Sequence, residues 1–199
     1  MKNFRIVLWA AIAVLGGFLA WSTLQQQFFE EGTGARLAGV QIGGPFEAVR
    51  TDGQTVTQED LKGRPHVIFF GFTHCPDVCP TTLYEAGRWL KDLGPDGDKL
   101  DVYFVTVDPE RDTRELMASY LTSFDSRISG ITGTPEQIQT MLKAWRAFAQ
   151  KDGDGDDYNV NHTATTYMMD ANGEFFGTIG YGENHETAVA KLKRLLEAS

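Results

Sequence analysis

The stretch "HVIFFGFTHCPDVCPTTL", His66 to Leu83, decides the architecture and places the chemistry at once. Its first part, His66 to Thr73, is a continuous apolar run of the kind shown by a central strand buried on both faces. Its second part holds the only two cysteines of the chain, Cys75 and Cys79, in a loop stiffened by Pro76 and Pro80. Pro80 opens a pattern in which Leu83, Ala86 and Leu90 recur at helical spacing, ending near Gly94 and Pro95. Strand, loop and helix in that order put the cysteines at the end of a central strand, where α/β sheets carry their reactive groups.

The same alternation continues outward. "LDVYFVTVD", Leu100 to Asp108, reads as a second apolar strand, and Thr113 to Phe124 and Pro135 to Phe148 read as amphipathic helices. "ATTYMMDANGEFFGTIG", Ala164 to Gly180, is a hairpin around Ala171, Asn172 and Gly173, and "ENHETAVAKLKRLLEAS" is a closing helix. Upstream, "FEAVRTDGQTV" alternates around Asp52 and Gly53, a further hairpin signal. The order is a hairpin, a β-α-β-α-(β)-α run, then β-β-α. It predicts an α/β fold, a three-layer sandwich with helices on both faces of the sheet, of which the thioredoxin-like arrangement is one member.

With 199 residues, 42% hydrophobic and 23% charged, the chain has the size and composition of one globular domain that needs no disulfide scaffold. A net charge of −9 excludes a nucleic-acid partner, which calls for a basic stripe. The N-terminus is different material. From Ile6 to Leu24 no residue is charged, Lys2 and Arg5 precede the run, and Trp21 lies near its far end. Nineteen helical residues reach about 28 Å, close to the ~30 Å bilayer core. Residues 1–24 are therefore expected to be a transmembrane anchor with its basic end in the cytoplasm or matrix, rather than a signal peptide cut after Ala20-Trp21-Ser22. Residues 25–41 read as a polar, glycine-rich flexible tether, and 42–199 as the domain on the other side of the membrane, where disulfides are permitted.

At the opening of a helix, unpaired N–H groups favour a thiolate over a thiol. If the first turn includes both cysteines, their i, i+4 spacing stacks the two sulfurs on one face. Such a pair either exchanges electrons or holds a metal. Oxidoreductases of the thioredoxin type place two residues between their cysteines, not three, and set a cis-proline opposite them; here no proline follows Pro135. What does follow, after "DGDGDDYNV", is His162. Two thiolates and one imidazole form a soft, low-coordinate set that suits Cu(I), or Zn(II) if a fourth ligand joins. The acidic stretch Asp152 to Thr163 matches a calcium loop at its first, third and fifth positions. It departs from that loop at Asp157 and Thr163, and reads instead as a flexible loop carrying His162.

Other polar residues have plainer readings beside functional ones. His74 adjoins Cys75 and is either a metal neighbour or an exposed loop residue; His66 is structural, and His185 is a surface residue. Asp77 shapes the metal charge or the turn. Asp108 and Asp112 form either a docking surface or a solvated acidic helix start.

"GFTHCPDVCPTTL" together with "DYNVNHTATTYMMDANG" resembles the SCO/SenC family, membrane-anchored proteins of copper delivery to cytochrome c oxidase, over roughly Ile42 to Leu196. "TVDPERDT" is similar to the family's Asp-x-x-x-Asp stretch, here Asp108 and Asp112. The resemblance implies a thioredoxin-like fold and a copper site, Cu(I) or Cu(II), made by Cys75, Cys79 and His162. It implies a metallochaperone that loads the dinuclear copper centre of oxidase subunit II, supplied by a thiol reductant or another copper chaperone. The alternatives are a thiol-disulfide reductase for that subunit, with Cys75 and Cys79 as the redox-active pair, or a redox or copper sensor. The implied location is the inner membrane, with the domain in the periplasm or the mitochondrial intermembrane space. One departure is Asn161, where the family usually carries Asp.

Overall fold

β1 (Glu47–Arg50) and β2 (Thr55–Thr57) pair antiparallel around a turn that needs the φ of +91° taken by Gly53. This is the first hairpin read from the sequence, in a computed structural model that describes residues 41–199 apart from Asp154 and Asp156. The expected anchor, and all but the last residue of the expected tether, lie outside the described residues. Among the described residues no helix is long and apolar enough to cross a membrane.

The chain then runs through β3 (His66–Gly71), α1 (Val78–Asp92), β4 (Asp101–Thr106), α2 (Arg114–Leu121), β5 (Ile128–Thr132) and α3 (Pro135–Ala144). It continues through β6 (Ala149–Asp152), β7 (Asn159–His162), β8 (Thr166–Met169), β9 (Phe175–Ile179) and α4 (His185–Glu197). Seven strands form one sheet in the order β2-β1-β5-β4-β3-β8-β9. β3, β4 and β5 are parallel at its centre, and antiparallel strands flank them. Every residue of β3 is buried, as its unbroken apolar run requires.

Neighbours along β3 point to opposite faces. Phe70 meets Trp145, at the end of α3, with ring centroids 6.4 Å apart. Gly71 faces α1, and a Cβ built there would lie 2.8 Å from the Cys79 sulfur. Helices thus cover both faces, the α/β sandwich expected of a thioredoxin-like fold. α1 and α4 lie side by side, joined by His185, which is bound by Asp92 at 2.8 Å and Glu85 at 3.1 Å. His185 is therefore a partly buried clasp rather than the free surface residue its position suggested.

Two helices are shorter than their sequence patterns. Thr113 caps α2 by accepting from the Leu116 amide, and Thr134 with Gln137 forms a capping box at α3. α3 stops well before Phe148 because Arg146 takes φ of +51°. There the Arg146 and Ala147 amides donate back to Lys143 and Leu142, a Schellman closure.

The loop expected around His162 is instead a hairpin. β6 and β7 pair with each other and form a separate two-stranded sheet. Asn159-Val160-Asn161-His162 runs exposed, buried, exposed, half-buried, the period of two that a strand imposes.

Candidate metal centre

α1 begins at Val78, so only Cys79 lies within it; Cys75 sits in the loop before. The expected stacking of both cysteines within the first turn therefore does not form, yet the sulfurs still meet. The Cys79 amide, one of the free N–H groups of the first helical turn, donates to the Cys75 sulfur at 3.4 Å. Asp77 occupies the cap position without bonding the helix amides through its side chain. The sulfur of Cys75 takes the role a capping oxygen would have.

His162 closes the site. Its Nε2 lies 3.5 Å from the Cys79 sulfur, and its Nδ1–H donates to the Thr163 carbonyl at 3.1 Å. A carbonyl can only accept, so the proton is fixed on Nδ1 and the Nε2 lone pair faces the sulfurs. Phe69 and Phe72 meet the imidazole edge-on, at 6.0 and 5.7 Å. Donor atoms of Cys75, Cys79 and His162 lie within 4.8 Å of one another. A cleft of about 200 Å³ opens beside them, between the cysteine loop and β7.

Both cysteines are free thiols, Cys75 half-buried and Cys79 fully buried. The Cys79 thiol, donating to Cys75, holds the Cys75 sulfur down to about 4 against the opposing effect of burial. The backbone amides of Asp77 and Cys79 act in the same direction. Cys79 is pushed up, first by that same shared hydrogen bond and then by burial. One proton is thus shared by the pair and resides on Cys79.

The remaining histidines stay outside the centre. His74 is exposed, bonds Thr73 at 3.1 Å, and lies 3.9 Å from Asp112. His66 is buried, with Nδ1 bonded to the Arg64 carbonyl at 3.1 Å, and is structural as expected. Asn161 donates to Asp152 across the hairpin at 3.3 Å.

Asp108 and Asp112 are neither a docking surface nor a solvated helix start: they are 4% and 0% exposed. Asp112 accepts from the Thr73 amide at 3.0 Å, the Thr73 hydroxyl at 2.5 Å and the Thr106 hydroxyl at 2.8 Å. It anchors the base of the cysteine loop. Asp108 pairs with Arg111 and accepts from the Tyr158 hydroxyl at 2.6 Å. No local motif marks Arg111, Tyr158 or the aromatic residues Phe69 and Phe72 as part of the site. The available signal was an aromatic residue in a polar loop just before the alternation of β7.

Comparison with known proteins gives consistent relationships. The SCO1/SenC family model matches residues 35–197. The mitochondrial protein SCO2 of Saccharomyces cerevisiae is 32% identical over 99% of this chain and 69% of its own length. The human mitochondrial SCO1 homolog is 35% identical over 76% of this chain, which spans only 52% of that relative. Among solved structures, Bradyrhizobium japonicum ScoI with copper bound is 44% identical with a TM-score of 0.72, covering 77% of this chain and 99% of that one. Yeast Sco1 with copper bound is 33% identical with a TM-score of 0.74, covering 80% and 91%. The chain belongs to the SCO1/SenC family.

Proposed function

We propose that this domain is a copper metallochaperone. It carries Cu(I) on Cys75, Cys79 and His162 and hands it to the dinuclear copper centre of cytochrome c oxidase subunit II during oxidase assembly. The observation that carries the reading is the set of three soft donors within 4.8 Å, which no fourth Cys, His, Asp or Glu joins among the described residues. A closed structural zinc site uses four ligands, whereas two thiolates and one imidazole satisfy Cu(I). The copper-bound relatives from Bradyrhizobium and yeast support the choice of metal. Half-exposed Cys75 and His162 leave an under-coordinated ion open to ligand exchange. In this reading residues 1–24 are the anchor, 25–41 the tether and 42–199 the copper-handling domain, on the periplasmic or intermembrane-space side.

The test is transfer. Subunit II stripped of copper gains metal from the Cu(I)-loaded protein and none from its Cys75→Ser form. A subunit that stays empty beside the loaded protein contradicts the reading.

A second reading, thiol-disulfide reduction of the same subunit, is favoured by the thiolate held on Cys75. That thiolate would attack a disulfide of the subunit and form a mixed disulfide. Cys79, after losing its proton, would displace the remaining subunit thiol, leaving Cys75 and Cys79 oxidised and the subunit cysteines reduced. Reduced, copper-free protein should then cleave the subunit's disulfide rapidly; no cleavage removes this alternative.

A further inference from the structure

The hairpin that presents His162 shares no strand pairing with the main sheet. Besides the buried Val160, its attachment runs through Tyr158, the residue before β7. The Tyr158 hydroxyl donates to Asp108 at 2.6 Å, and its carbonyl accepts from Arg111 Nη1 at 2.9 Å. Its ring lies 3.6 Å from the Arg111 guanidinium carbon. Arg111 is itself paired with buried Asp108, so one tyrosine is gripped by hydroxyl, carbonyl and ring face. Short charge-assisted hydrogen bonds and a desolvated cation over an aromatic face are the stronger members of their classes. Arg111 also stands 5.9 Å over the Phe72 ring, and Phe72 abuts the His162 imidazole.

We propose that Arg111 and Tyr158 form a latch that sets where the His162 imidazole stands relative to the two sulfurs, which makes them positioning residues of the metal site. This rests on the reading that His162 is a metal donor. The Tyr158 side of the latch is separate from the support of the cysteine loop, which runs through Asp112 to Thr73. Breaking it should therefore disturb the histidine half and spare the sulfur half.

Tyr158→Leu removes hydroxyl and ring, Tyr158→Phe the hydroxyl alone; wild type and His162→Ala bracket them. In reduced, copper-free protein, amide hydrogen exchange across β6 and β7 should accelerate by about tenfold or more in Tyr158→Leu and less in Tyr158→Phe, with β3 and α1 unchanged. Cu(I) competition titration should show affinity weakened by about 10–100-fold in Tyr158→Leu, as for other partners that orient a metal ligand. The nitrogen contribution in X-ray absorption should shrink while the reduction potential of the cysteine pair stays at the wild-type value. Should Tyr158→Leu not fold, Tyr158→Phe carries the same test with smaller shifts. Unchanged exchange in the hairpin overturns the latch, as does a cysteine potential that moves in step with the affinity. If wild type and His162→Ala bind copper alike, the donor reading fails by itself, and hydrogen exchange still decides the latch.

Discussion

Cys79 and His162 face each other across 3.5 Å, yet they reach that point by different means. Cys79 is fully buried at the start of α1, its sulfur over Gly71 of the central strand and its loop anchored through Thr73 to Asp112. His162 ends a two-stranded hairpin outside the main sheet, its open end closed by the mutual bonds of Phe148 and Thr163 and its body tied down at Tyr158. The sulfur half is part of the core, and the imidazole half is a tethered arm. In the proposed reading the two-sulfur grip belongs to the core and the third donor to the arm. That suits an ion meant to be passed on better than one held permanently.

The comparison breaks most visibly at the sulfurs. Cys75→Ser and Cys79→Ser should each abolish Cu(I) binding in competition titrations, because a hydroxyl is a poor substitute for a soft thiolate. Retained binding in either variant would mean that the core half is not the grip. The proton count gives the next largest effect. Above about 4 Cys75 is already ionised, whereas Cys79 keeps its proton through neutrality. Copper must expel that proton, so the apparent affinity should rise about tenfold per pH unit between about pH 7 and 9, and a flat profile would contradict the shared-proton pair.

Gly71→Ala probes how tightly the core half is packed. Its Cβ would lie 2.7 Å from a Phe104 ring carbon and 2.8 Å from the Cys79 sulfur. A stability loss of about 1–3 kcal/mol in denaturant unfolding is expected. The effect at His185 is smaller. Asp92 first, then Glu85, hold its imidazolium above the usual histidine range. The clasp between α1 and α4 is therefore complete below about pH 6.5 and is lost as pH rises through the raised value. Wild type should lose about 1 kcal/mol or less of stability relative to His185→Gln between pH 6 and 8.5, since Asp92 is half exposed.

The core half was legible in the sequence because its signals are local. Apolar His66–Gly71, the prolines around the cysteines and the helical spacing after Pro80 lie within one continuous stretch. His162 could be singled out as a donor, but not the hairpin that carries it. Strand β6 reads Ala-Gln-Lys-Asp, with no apolar face of its own, and is defined only by its pairing with β7. Asp108 and Asp112 were misread for a related reason. A carboxylate before a helix looks solvated until Thr73 closes over Asp112 and Tyr158 over Asp108 from elsewhere in the chain. Burial of that kind is a long-range property, and short-range pattern does not carry it.

The most direct measurement is Cu(I) titration of the reduced protein beside His162→Ala, with X-ray absorption of both loaded forms. Two sulfurs and one nitrogen around copper in the wild type, two sulfurs alone in the variant, and an affinity lower by about tenfold or more (about 1.4 kcal/mol) are the expected results. Equal affinities with no nitrogen ligand in the wild type would contradict the three-donor site.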